Sequence, residues 1–96
     1  MEKFFSNITK IKIMEDLMSE YYHHQKDAEF TKLGEAYNAI KKRESYYVKV
    51  LDFLFLNHWT IRKASTYLYC SERTVIRKRN ELLLELYDAV FSEEVA

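Results

Sequence analysis

A chain of 96 residues with no proline and a single glycine, Gly34, has few ways to turn back sharply on itself. Hairpins draw on glycine, proline or Asn-Gly pairs, whose backbones reach conformations that other residues avoid. The sequence therefore predicts an all-α fold, a small helical domain. Aromatic residues make up 16% of the chain, and each buries enough apolar area to help so short a sequence close a core. No apolar run approaches the roughly 20 residues of a membrane-spanning helix. The stretch "MEKFFSNITKIKIM" lacks the apolar segment and cleavage site of a secretory leader. One cysteine, Cys70, cannot form an internal disulfide and fits a reducing cytoplasm, where it reads as a small packed apolar group. A cytoplasmic protein with no membrane contact is expected.

Apolar residues then mark out the helices. Ile11, Met14, Met18 and Tyr21 follow steps of three and four, and so do Phe30, Leu33, Tyr37 and Ile40; this spacing lines one face of a helix. The phase shifts near Asp27–Phe30, so two helices or one bent helix lie between about Ile8 and Lys42. Gly34 costs only about 1 kcal/mol inside a helix and need not end it. The apolar face serves either the chain's own core or a seam with a second copy, a homodimer through the N-terminal helices. "KKRES" is a polar break with Ser45 as a candidate N-cap. It divides an N-terminal helical segment, residues 1–44, from a second unit, residues 45–96.

Three more helices are expected in that second unit. "YYVKVLDFLFL", about Tyr46–Leu56, is apolar on several faces and reads as buried. Thr60 is placed to cap "IRKASTYL", and Ser71 to cap a last helix from Glu72 to about Val90. Glu93 and Glu94 oppose the helix macrodipole at its end. Two helices joined by three or four residues, the second opening on a capping serine, form the pattern of a helix-turn-helix. Ile61, Leu68 and Val75 fall where these helices share a core, while Ala64 and Ser65 are small enough for close crossing. Ser71 leaves the first amides of the last helix facing outward, where a phosphate can sit.

Charge points the same way. The totals cancel, 15 Lys and Arg against 15 Asp and Glu, but their distribution is uneven. Arg62, Lys63, Arg73, Arg77, Lys78 and Arg79 face Glu72 alone between Thr60 and Asn80. From Glu81 onward every charged residue is acidic. Nucleic-acid affinity follows the local patch, because charges are screened over roughly 8–10 Å. Glu72, Arg73, Ile76, Arg77 and Asn80 share the face away from the expected core. Arginine suits guanine, asparagine adenine, an acid cytosine, and an apolar group the thymine methyl. The expected DNA-contacting set is Thr60, Arg62, Lys63, Ser71, Glu72, Arg73, Thr74, Ile76, Arg77, Lys78 and Asn80, with residues of about 72–90 as the recognition helix in the major groove. Lys78 would cover apolar surface with its stem and reach a phosphate with its amine. Tyr69 sits in the turn where glycine is often found. A left-handed tyrosine there costs on the order of 1 kcal/mol, unless the turn takes another geometry.

The stretch "LDFLFLNHWTIRKASTYLYCSERTVIRKRNELLLELY" resembles region 4 of sigma factors. It is also similar to the small Gram-positive phage regulators of the RinA and ArpU type, which activate late genes. The resemblance covers roughly Ser45–Tyr87, and "CSERTVIRKRNELLLEL" is its most specific part. It implies sequence-specific promoter recognition, with Ser71, Arg73, Thr74 and Arg77 at the DNA-facing positions and RNA polymerase as a second partner. Two alternatives share the pattern: a small terminase-like DNA-packaging subunit, and a sigma-like adaptor that binds polymerase rather than free DNA. No enzyme is expected, since the chain has no phosphate-cradling glycine loop and no nucleophile beside a base. Neither a cofactor nor a metal is expected. His23 and His24 are adjacent, so on a helix they point about 100° apart.

Overall fold

The computed structural model describes residues 6–24, 26–43 and 46–91, except for the side chain of Glu29. The described residues are helical and contain no strand. Helix α1 spans Asn7–Tyr21 and begins where Ser6 accepts a hydrogen bond from the Thr9 amide at 3.2 Å. A 3-10 turn, Ala28–Phe30, leads into α2, Thr31–Arg43. The phase shift in the apolar pattern is thus a break between two helices. Lys41, Lys42 and Arg43 close α2, the sign that suits its C-terminal dipole. The proposed Ser45 cap, Glu93 and Glu94 lie outside the described residues.

Helix α3, Lys49–Leu51, runs directly into a π-helical turn, Asp52–Leu56, in which the Asn57 amide donates to the Asp52 carbonyl at 2.9 Å. A short connection through His58 and Trp59 reaches α4, Ile61–Leu68, and the turn Tyr69–Ser71 opens α5, Glu72–Phe91. Thr60 caps α4 as expected, accepting from the Lys63 amide at 3.1 Å. Ser71 caps α5, accepting from the Thr74 amide at 3.0 Å.

Helix α5 belongs to two packed clusters. Its start contributes Val75 to a small cluster with Val50, Ala64 and Leu68, against which Ile61 and Cys70 also pack. Its second half contributes Leu82, Leu83 and Leu86 to a larger cluster with Met14, Met18, Tyr21, Phe30, Leu33, Tyr37, Ile40, Val48 and Leu51. Much of the N-terminal apolar face therefore packs into the chain's own core, while Ile8 stays exposed. The break near residue 44 does not divide two cores, since α1 and α2 both close on α5. Ala64 and Ser65 are buried as their size suggests. The "YYVKVLDFLFL" segment is only partly so: Val48, Val50 and Leu51 are buried, while Tyr46 and Leu56 are exposed.

A polar node joins the two halves. The hydroxyls of Tyr22, at the end of α1, and Tyr37, in α2, both donate to Oδ1 of Asp52, the first at 2.6 Å. Burial, reinforced by the Asp52 hydrogen bond, pushes both phenols well above the ordinary tyrosine value. They therefore remain donors wherever the fold is stable.

Gly34 lies in the interior of α2. A Cβ built there would meet Oη of Tyr21 at 3.4 Å and its ring at 3.5 Å, ordinary contact distances. Gly34→Ala should therefore gain helix propensity without a clash and stabilise the chain by about 0.5–1 kcal/mol. Thermal unfolding checks this; a lowered Tm would mean that the Tyr21 ring cannot accept the methyl group.

Candidate nucleic-acid interface

The outer side of α4 and α5 carries most of the residues expected to meet DNA. Glu72, Arg73, Ile76 and Arg77 are exposed on α5, and Arg62, Lys63 and the capping Thr60 are exposed at the start of α4. The spacing of Arg73, Ile76 and Arg77 puts them on one face of the helix. Ile76 is 40% exposed, one of the large aliphatic side chains, with Ile8 and Leu56, that stand open to solvent. Ser71, besides capping the helix, donates its hydroxyl proton to Oγ1 of Thr74 at 3.0 Å. That bond fixes both hydroxyls beside the helix start.

Internal partners sort the basic residues. Arg73 makes no ion pair among the described residues. Arg77 reaches Glu81 at 3.2 Å, one turn along, and both side chains are more than half exposed. Such a pair contributes at most a few tenths of a kcal/mol, so it holds Arg77 only weakly. Arg62 lies 3.7 Å from Glu72 and links the first turns of α4 and α5 across the surface. The Lys63 amine rests 4.4 Å from the centre of the Trp59 ring. That ring is itself stacked on Phe53 at 4.2 Å.

Two of the expected residues, Lys78 and Asn80, are placed differently. Lys78 covers apolar surface with its stem, but its amine lies 4.8 Å from the Tyr47 ring and 3.7 Å from Glu81. The reason is steric: the α5 face that holds Lys78 turns toward the segment before α3. Asn80 is half-buried, and its side-chain carbonyl accepts two hydrogen bonds from the Arg79 guanidinium, at 3.1 and 3.0 Å. Arg79 in turn lies 3.7 Å from Glu15 of α1. Arg79 and Asn80 thus line a groove of about 350 Å³ with Ile8, Ile11, Lys12 and Glu15. The helical wheel alone puts Asn80 outward; it cannot show that α1 comes to lie beside it.

The turn before α5 holds Tyr69 in the left-handed conformation, φ 56° and ψ 44°, the glycine-like geometry and not a variant. Its amide approaches the carbonyls of Ser65 and Thr66, closing the end of α4. Among the described residues no group of His, Cys, Asp and Glu is arranged to hold a metal ion. No described helix is long and apolar enough to cross a membrane.

Comparison of the chain with protein-family models, curated proteins and solved structures finds no match. The likeness to sigma region 4 and to phage late-gene regulators therefore rests on the quoted residues alone.

Proposed function

We propose that this chain is a sequence-specific DNA-binding regulator of transcription. In this reading α4 and α5 form a helix-turn-helix, and the first three turns of α5 enter the major groove. The observation that carries it is the side-chain-capped start of α5 beneath an exposed face of Arg73, Ile76 and Arg77. These groups contribute nothing to the core, so their pattern calls for an external partner. Arginine offers paired donors to guanine or phosphate, and isoleucine offers contact with a thymine methyl. The first amides of α5, which the Ser71 cap does not occupy, add dipolar attraction for one phosphate.

A single unit of this size buries about 600–1,000 Å² on DNA, which leaves room for a second anchor. With much of the N-terminal apolar face packed into the chain's own core, tethering to RNA polymerase is the form of anchor this reading favours over a helical-seam homodimer. A tether raises the local concentration without a second DNA half-site.

Backbone-amide NMR spectra recorded with increasing amounts of a short duplex test the placement. Shifts should concentrate at Thr60–Lys63 and Ser71–Arg77 and spare the α2 surface. Shifts centred on α1 and α2, or none at low salt, would reject this interface.

A further inference from the structure

We infer that Tyr69 is a contact to the sugar-phosphate backbone of DNA beside the start of α5. The inference rests on the proposed DNA-binding role of α4 and α5.

Among the described residues two non-glycines have positive φ, His58 and Tyr69. Histidine is among the residues that tolerate this region, whereas for a bulky tyrosine it is an outlier. A strained position persists when something else requires the residue. Nothing inside the fold does. Tyr69 is 93% exposed, and its phenol makes no hydrogen bond and stacks on no ring among the described residues.

The other tyrosines are all engaged. Tyr22 and Tyr37 bind Asp52, and Tyr21 packs against both of them. Tyr46 donates to the Leu68 carbonyl at 2.6 Å and meets Tyr47 edge-on. Tyr67 sits against Phe53 and Trp59, and Tyr87 against Phe91. Tyr69 alone is costly to the backbone and idle in the core.

Its place in the chain indicates the partner. Tyr69 precedes the capping Ser71 by two residues, so their Cα atoms are at most about 7 Å apart. The residue is thus held near the phosphate that the start of α5 would bind. A phenol suits this neighbour: its hydroxyl donates to a phosphate oxygen while the ring lies against the sugar. Glycine would relax the turn and lose both contacts. Tyrosine also carries no charge, so it strengthens binding without displacing a counterion.

The test compares wild type, Tyr69→Gly and Tyr69→Asn by thermal unfolding and by fluorescence anisotropy with a random-sequence duplex across a salt series. Glycine and asparagine both tolerate the left-handed region. The expected result is a Tm raised by about 4 °C for Tyr69→Gly, with duplex affinity about tenfold weaker in both variants and a salt slope equal to wild type. Unchanged affinity in both variants, while Arg73→Ala/Arg77→Ala binds more weakly, would overturn the role of Tyr69 and leave the DNA-binding reading intact. Absence of duplex binding by the wild type at low salt would overturn both.

Discussion

Arg73→Ala/Arg77→Ala is expected to weaken duplex binding by about 30-fold or more at low salt while leaving the fold intact. Each arginine that bonds a base edge or a phosphate contributes about 1–3 kcal/mol of binding. Both side chains are exposed, and Arg77 gives up only its surface pair with Glu81. The Tm should therefore move by no more than about 2 °C. If both arginines lie on phosphates, the slope of log affinity against log salt should become shallower by about two. If one reads a base, the slope changes by about one and discrimination between sequences narrows. A matched variant, Lys41→Ala/Lys42→Ala at the end of α2, removes the same charge outside the exposed face of Arg73, Ile76 and Arg77. It should change affinity little, which separates a local interface from a general charge effect.

Asp52→Ala is expected to cause the largest loss of stability among single polar substitutions, about 2–4 kcal/mol. Two hydroxyls from different helices converge on this one carboxylate, and Tyr37 is almost fully buried. Hydrogen bonds to a charged acceptor contribute about 1.5–3 kcal/mol each, and stranded donors keep their desolvation cost. For a domain of this size the Tm should fall by roughly 10–25 °C. Asp52→Asn, which retains a carbonyl acceptor, should lose about half as much. The alkaline limb gives a second readout. Both phenols have raised pKa values in the fold, so their contribution is complete below their ordinary value of 10.0 and is lost as pH rises above it. Wild type should therefore lose stability above about pH 10, and Asp52→Ala should lose less over the same window. An unchanged Tm in Asp52→Ala would mean that water replaces the carboxylate at no cost.

The helical class and both caps of the C-terminal pair were legible because they rest on local chemistry. The absence of proline, the three-and-four spacing, Thr60 before "IRKASTYL" and Ser71 before "ERTV" each act within a few residues. For Tyr69 the sequence left two geometries open, left-handed or a variant turn, and the structure has the left-handed one. What remained hidden depends on which helices become neighbours. The apolar face of α1 and α2 could suit a core or a seam, and its packing on α5 is not readable from the periodicity. Lys78 and Asn80 sit outward or between on a helical wheel, yet Tyr47 and α1 come to lie beside them. The Asp52 node had one signal, an acid inside "YYVKVLDFLFL". A lone carboxylate in an apolar helix needs donors, and an abundance of tyrosine says who could supply them, though not which ones.

DNA binding is tested most directly by fluorescence anisotropy of the wild-type chain with a random-sequence duplex, measured from low to physiological salt. The predicted result is binding at low salt whose affinity falls steeply as salt rises, the signature of phosphates displacing counterions at a patch of several basic residues. Absence of binding at low ionic strength would contradict it, because an exposed, capped and basic α5 would then face something other than DNA.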